Sequence, residues 1–155
     1  MDAIKKILVL SRSTKHCKKA VDYGISMAHK YQADLFILHV FHNPFGLEGW
    51  NVPMAFLPDL EKEYKQTQQQ AVEDINRMIE SEQKKGMSIE IIMREGDPNK
   101  ELFKLIEEKK IDLLILLAHS EWRIEHFLLG RSNEEIIRKM PCSIMMIKQE
   151  PKAVA

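Results

Sequence analysis

Residues 111–133 read IDLLILLAHSEWRIEHFLLGRSN, and this stretch decides which fold the rest of the chain can adopt. Its first part, residues 111–118, is a nearly continuous apolar run of strand length, which is typical of a central parallel strand covered by helices on both faces. A polar loop follows, and Gly130 then precedes an amphipathic segment that contains Ile136 and Met140. The order of strand, loop, glycine and helix predicts part of an α/β fold.

The start of that last helix has two interpretations. The first backbone N–H groups of a helix have no partner within it and carry partial positive charge, so an anion can dock there, helped by Gly130 and Arg131. Alternatively, Ser132 and Glu135 form an ordinary capping box, and Glu134 lies where the helix dipole favours a carboxylate. This segment alone leaves both interpretations open.

The chain on either side of this stretch alternates between strands and helices. Apolar runs of strand length occur at residues 4–10, 34–40, 88–94 and 143–148, and amphipathic helical patterns occur at residues 15–31, 59–85 and from Pro98 after an Asp97 N-cap. Five strands alternating with four helices predict an α/β sandwich on a doubly wound five-stranded parallel sheet. Ligands of such sheets bind beyond the carboxyl ends of the strands where the strand order reverses, so the loops after Leu10 and Ala118 are candidate sites.

Length and composition exclude several classes of protein. With 155 residues and two cysteines far apart in sequence, the chain predicts a single domain at residues 1–150, a loose tail at 151–155 and no disulfide. Twenty-three basic residues balance twenty-three acidic ones, so the overall charge favours neither nucleic acid nor a membrane surface as a partner. No apolar stretch approaches the roughly 20 residues of a membrane span, and we expect a cytoplasmic protein.

Three further features have ordinary structural interpretations. Residues 41–58 mix prolines and glycines with large apolar residues, which indicates a lid or an interface loop. His119-x-Glu121 resembles half of a zinc deaminase signature, but Met145 stands where the second cysteine would be, so no metal site is expected. Cys17 is expected to be a packed thiol, although neighbouring lysines leave open a lowered pKa.

The motifs, taken in order along the chain, resemble the universal stress protein family. The resemblance is carried by IKKILVL from Ile4, LHV from Leu38, REGDP from Arg94, DLLILLAHS from Asp112 and FLLGRSNEEIIRKMPCSIMMIK from Phe127. It implies a doubly wound, adenine nucleotide alpha hydrolase-like sheet of strand order 3-2-1-4-5 between four helices. It also implies dimers formed largely through the last strand and, in one branch of the family, ATP held where the strand order reverses.

The ATP-binding branch of that family carries an aspartate after the first strand and the glycine pattern G-x-x-G, nine residues, then G followed by Ser or Thr. When Gly130 is placed on the last glycine, Leu117 and Ser120 replace the first two, Arg131 replaces the Ser or Thr, and Arg12 replaces the aspartate. A leucine adds bulk where backbone must approach a phosphate, and an arginine cannot accept hydrogen bonds. The chain therefore resembles the branch that lacks the nucleotide motif, no cofactor is expected, and ATP should bind weakly or not at all.

These replacements make the crevice at the strand ends cationic and define the candidate ligand-binding residues. They surround the ends of the first, second and fourth strands and the start of the last helix: Ser11, Arg12, Val40, Leu117, His119, Ser120, Gly130, Arg131, Ser132 and Asn133. The predicted ligand is a small anion, such as sulfate, phosphate or the phosphate end of a metabolite. The alternative is a set of solvated side chains without a ligand.

Three functions are compatible with the sequence. A non-catalytic stress-response dimer, acting as a binding or signalling module, is favoured over a sensor of ATP or a small anion that uses the residual glycine loop. A nucleotide hydrolase is the least favoured, because no catalytic residue or metal-binding carboxylate is identifiable beside the glycine loop. We expect the dimer to form on the last strand, where Ile144, Met145, Met146 and Ile147 would otherwise leave an apolar sheet edge open.

Overall fold

The computed structural model describes residues 3–12, 17–41, 57–118 and 130–148, with the backbone alone at residues 57 and 130–132. Its elements in chain order are β1 (Lys6–Ser11), α1 (Lys18–Tyr31), β2 (Asp34–Phe41), α2 (Leu57–Lys84), β3 (Ile89–Glu95), α3 (Pro98–Lys109), β4 (Leu113–Leu117), α4 (Gly130–Lys139) and β5 (Ser143–Ile147). His119, Ser120, most of the predicted loop at 41–58 and the tail at 151–155 lie outside the described residues.

The five strands form one parallel sheet in the order β3-β2-β1-β4-β5, which confirms the predicted doubly wound fold. From β1 the chain first builds outward through β2 and β3, and it then returns to the other side of β1 to add β4 and β5. The strand order therefore reverses between β1 and β4. We call the region at the carboxyl ends of these two strands, together with the first turn of α4, the switch-point crevice.

Alternate residues of the central strands enter two separate cores. Ile7 and Val9 of β1 pack in a cluster with Val21 of α1 and with Ile75 and Ile79 of α2, which we call the α1/α2 core. Leu8 and Leu10 pack in a second cluster with Leu102 of α3 and Ile136 of α4, which we call the α3/α4 core. Burial on both faces explains why these strands are apolar throughout instead of alternating.

Gly24 allows α1 to lie close to the sheet. A Cβ atom at this position would be 2.6 Å from Val9 Cγ2 and 3.1 Å from Leu35 Cδ1. A side chain of any size would therefore push the helix away from the α1/α2 core.

The helix starts agree with the sequence patterns to different extents. Asp97 caps α3 as predicted, because its Oδ1 accepts a hydrogen bond from the Lys100 N–H at 2.9 Å and Pro98 follows as the first helical residue. The described part of α1 begins at Lys18, and Cys17 precedes it without a side-chain cap bond, while the predicted start at residue 15 lies outside the described residues. None of the helices in the described part of the chain has the length and apolar character that crossing a bilayer requires.

Candidate functional site

The first turn of α4 forms one side of the switch-point crevice. The helix begins at Gly130, so the backbone of Ser132 lies inside its first turn. The Glu135 carboxylate accepts a hydrogen bond from Asn99 Nδ2 of α3 at 2.6 Å. Glu135 thus finds a partner on a neighbouring helix, which a local sequence pattern cannot show, whereas the Ser132 side chain of the predicted capping box lies outside what the structure describes.

The two glutamates of α4 point away from its positive end. Glu134 pairs with Arg138 at 2.6 Å, one turn toward the C-terminus, and Glu135 pairs with Lys139 at 3.2 Å. Hydrogen bonds from Asn99 and then from Lys139 lower the pKa of Glu135 and keep it charged. The first turn of α4 contains no acidic residue. The N–H groups at the start of α4, which have no partner within the helix, are thus not neutralised by the glutamates of the same helix.

Asn133 is fully buried beneath the start of α4. Neither its Oδ1 nor its Nδ2 has a hydrogen-bond partner in the described part of the chain, and we call this group the orphan amide. Asn133 precedes Ile136 by about one helical turn, so it shares the sheet-facing side on which Ile136 enters the α3/α4 core. A buried polar group without a partner costs roughly 1–3 kcal/mol. The orphan amide therefore lowers the stability of the fold unless a further group pairs with it.

The other buried polar side chains have partners. Four polar side chains are buried among the described residues, namely Ser11, His39, Asn99 and Asn133. Ser11 Oγ and His39 Nδ1 are 3.0 Å apart, and Asn99 donates to Glu135. Among the four buried polar side chains of the described residues, Asn133 thus differs from the other three because its amide has no hydrogen-bond partner there.

The Ser11–His39 pair lies at equivalent positions of β1 and β2, on the α1/α2 side of the sheet. Burial lowers the pKa of His39 and so favours the neutral imidazole, although a hydrogen bond to the Ser11 backbone opposes the shift. The ring packs edge-on against Phe41, with the ring centroids 4.7 Å apart. Ser11 is 1% exposed. It faces away from α4, and its predicted role in ligand binding stays a prediction.

The remaining candidate residues are distributed around the crevice. Arg12 directly follows β1, is partly buried, and has its pKa lowered by that burial. Val40 packs on the α3/α4 core, whereas Leu117 packs on the α1/α2 core. His119, Ser120 and the side chains of Arg131 and Ser132 lie outside what the structure describes, and Gly130 is placed as the first residue of α4. Arg12, Val40 and Asn133 are thus the described candidates that do not face the α1/α2 core.

Cys17 is a packed thiol. It is 3% exposed, and its Sγ lies 4.0 Å from Met78 Sδ. Desolvation raises the pKa of this thiol despite a hydrogen bond from Ser11 that lowers it. The alternative of a lowered pKa was wrong because Lys18 pairs with Asp22, and Lys19 donates to the Lys148 carbonyl oxygen. The described residues contain no group of three or more histidine, cysteine, aspartate or glutamate side chains that could hold a metal ion.

The outer strand β5 carries the predicted dimer interface. Ile144 and Met145 are half-buried and Met146 is 38% exposed, whereas Ile147 is 4% exposed and belongs to the α1/α2 core of its own chain. The preceding helix α4 exposes Ile137, and Met140, which directly follows that helix, is 59% exposed. The exposed apolar surface therefore includes α4, which the sequence analysis did not assign to the interface.

Two features of the crevice were missed in the sequence. The Ser11–His39 bond had a usable signal, because both residues directly continue apolar strand runs that were predicted to be parallel neighbours. The burial of Asn133 also had one, since it precedes Ile136 by three positions and so lies on the apolar side of the helix.

Comparison with known proteins identifies relatives of this chain. The model of the universal stress protein family matches residues 3–148. The universal stress protein MJ0531 of Methanocaldococcus jannaschii is 28% identical over 153 residues, covering 96% of this chain and 84% of that protein. The structure of MJ0577, a protein of the same organism, has a TM-score of 0.73 at 19% identity, covering 97% of this chain and 100% of that chain. A universal stress protein family protein from Arabidopsis thaliana with AMP bound has a TM-score of 0.62 at 16% identity, covering 94% of this chain and 92% of its own.

Proposed function

The chain belongs to the universal stress protein family, and on that premise we propose that it is a non-catalytic binding module that acts as a homodimer and holds a small anion in the switch-point crevice. The observation that carries the ligand site is the orphan amide of Asn133, buried under the first turn of α4. A ligand that binds at the positive end of the helix can form the hydrogen bonds that this buried amide lacks.

The charges around the crevice favour an anion over a neutral ligand. The first N–H groups of α4 have no partner within the helix, and Glu134 and Glu135 are engaged with Arg138 and with Asn99 and Lys139. Arg12 is desolvated at the end of β1, and an anion nearby would stabilise its charged form. Hydrogen bonds between such groups and an anion are worth roughly 1.5–3 kcal/mol each before desolvation costs are counted.

The alternative function is a nucleotide sensor. The relative from Arabidopsis thaliana that was solved with AMP bound supports it, because the two chains share a fold. In this chain, however, Leu117 occupies the position of a family glycine and packs on the α1/α2 core, where it adds bulk near the end of β4. We therefore favour a small anion, and we expect ATP to bind weakly.

The proposed dimer joins two copies through β5. This strand ends the sheet and exposes Met146, while Ile137 of α4 and Met140, which follows α4, are also exposed apolar residues. An outer strand that leaves backbone groups and apolar side chains exposed favours pairing with a second copy of the same strand. The anion site is assigned to the first turn of α4 and the strand pairing to β5, so substitutions in the two elements test the two halves of the proposal separately.

Binding of inorganic phosphate tests the ligand half of the proposal. Calorimetric titration and thermal unfolding, each compared with chloride at equal ionic strength, should show saturable binding and a higher unfolding midpoint for the wild type. Phosphate also stabilises proteins non-specifically, so the decisive quantity is the difference between wild type and the Arg12→Gln variant. Arg77→Gln, on the exposed side of α2, is the matched control. Identical behaviour of all three proteins in phosphate would refute the anion site, and micromolar affinity for ATP would favour the nucleotide sensor.

A further inference from the structure

We propose that the switch-point crevice selects a phosphate that still carries a hydrogen, and that Asn133 recognises that hydrogen. The inference rests on the function proposed above, because it names the chemical form of the anion held at the same site. Its basis is the position of the orphan amide, which lies fully buried under the first turn of a helix of ten residues.

The orphan amide can pair fully only with a ligand that provides both a hydrogen-bond acceptor and a donor. The carboxamide of Asn133 offers an acceptor at Oδ1 and two donor hydrogens at Nδ2, and both atoms lack a partner among the described residues. An anion with only acceptor oxygens, such as sulfate, can accept from Nδ2 but leaves Oδ1 facing another acceptor. A ligand that satisfies the whole group must accept one hydrogen bond and donate another from neighbouring atoms.

A hydrogen-bearing phosphate has this arrangement. Its P–OH group can donate to Oδ1 while an adjacent phosphoryl oxygen accepts from Nδ2, so the amide is paired at both atoms. The remaining oxygens can accept from the N–H groups at the start of α4. The same orientation of the ligand satisfies both requirements, because its negative charge faces the positive end of the helix while its P–OH hydrogen faces Oδ1.

A buried water is the competing occupant of this position. Water also donates and accepts, and it could bridge the orphan amide to the backbone. It carries no charge, however, and among the described residues Glu134 and Glu135 are paired with other groups instead of compensating the start of α4. The charge of the surroundings therefore favours the anion.

Two sources of phosphate can be distinguished by pH. Inorganic phosphate keeps a hydrogen throughout the neutral range, whereas a phosphate monoester loses its last hydrogen with a pKa of about 6. At about pH 7.5 the proposed site should therefore prefer inorganic phosphate to a simple sugar monophosphate, and at about pH 5.5 it should accept both. Fully ionised sulfate should bind poorly at either pH.

The test is calorimetric titration of the full chain with potassium phosphate, potassium sulfate and ribose 5-phosphate at constant ionic strength. We expect the wild type to bind phosphate about tenfold more tightly than sulfate, which is the difference that one hydrogen bond to a charged group produces. Asn133→Leu, which has a similar shape and no polar atoms, should bind the two anions weakly and equally. Without ligand, its unfolding midpoint should rise by a few degrees. Asn76→Leu on the exposed side of α2 is the matched control, and Asn133→Ala is the second variant if the leucine does not fold.

Each outcome separates this inference from the function on which it rests. Equal affinity of the wild type for phosphate and sulfate would overturn the inference and leave the anion site standing, as would an unchanged preference in Asn133→Leu. Absence of binding for every anion would overturn the proposed function and this inference together. A crystal structure in phosphate that shows only a water at the orphan amide would overturn the inference alone.

Discussion

Replacing Ser11 by alanine should destabilise the protein by about 2 kcal/mol, within the range expected when a buried polar group loses its partner. The substitution leaves His39 Nδ1 without the hydroxyl that lies 3.0 Å from it. Water cannot readily take that place, because Ser11 is 1% exposed and His39 is 7% exposed. For a domain of this size the loss corresponds to a fall of roughly 4–8 °C in the unfolding midpoint. Ser11→Ala combined with His39→Phe removes both partners and should cost much less.

The same pair predicts how stability depends on pH. Burial lowers the pKa of His39 in the folded protein, so it lies below the value of about 6.5 expected in the unfolded chain. The unfolded chain therefore takes up a proton first as the pH falls. Stability from the neutral imidazole is fully present above about pH 6.5 and is lost below it, by at most about 1.4 kcal/mol per pH unit, until the folded pKa is reached. This contribution should vanish in the double variant, which has no histidine at this position.

Urea unfolding of the wild type, Ser11→Ala and the double variant at several pH values measures both effects. Ser26→Ala, an exposed serine of α1, is the control for a serine-to-alanine change without a buried partner. If Ser11→Ala unfolds at the same urea concentration as the wild type, the hydrogen bond does not stabilise the fold. If the wild type and the double variant show parallel pH profiles, His39 is not the group responsible.

Three other predictions follow from the described surfaces. Met146→Lys should shift a micromolar dimer toward monomer in sedimentation, while Gln69→Lys on exposed α2 should not, and a monomeric wild type would refute the interface. Calorimetry with ATP and magnesium should show weak or no binding, and restoring the family residues should increase the affinity. Micromolar binding by the wild type would contradict the inference that these replacements weaken ATP binding. The restoring substitutions are Arg12→Asp, Leu117→Gly and Ser120→Gly. Cys17 should react with a thiol reagent far more slowly than a free cysteine, since burial raises its pKa, and complete labelling of the native protein within seconds would show that the thiol is accessible.

The sheet was predictable because it depends on a pattern that extends over many residues. Continuous apolar runs separated by amphipathic helices specify strands buried on both faces, and every predicted strand lies within about two residues of its observed bounds. Helix starts depend on fewer residues. Asp97 was recognised because the N-cap and Pro98 act locally, whereas the hydrogen bond from Asn99 to Glu135 joins two helices and leaves no local sequence pattern.

The sheet face of each strand residue near the crevice was also predictable, but the surroundings of its side chain were not. Strand alternation determines the face of each residue, so Ser11 falls on the α1/α2 side together with its partner His39. Whether a polar residue on a given face is exposed, paired or orphaned depends on what packs above it. The lowered pKa considered for Cys17 failed for the same reason, because the neighbouring lysines in sequence interact with groups elsewhere in space.

The buried polar groups of the two faces indicate which side of the sheet is prepared for a ligand. On the α1/α2 side, Ser11 and His39 satisfy each other, so a ligand that displaced one of them would have to replace an existing hydrogen bond. On the α3/α4 side, the orphan amide of Asn133 already lacks partners among the described residues, so every hydrogen bond offered by a ligand is a net gain. Binding at Asn133 therefore requires less reorganisation than binding at Ser11. If a ligand enters the switch-point crevice, we expect it to approach from the side of α4.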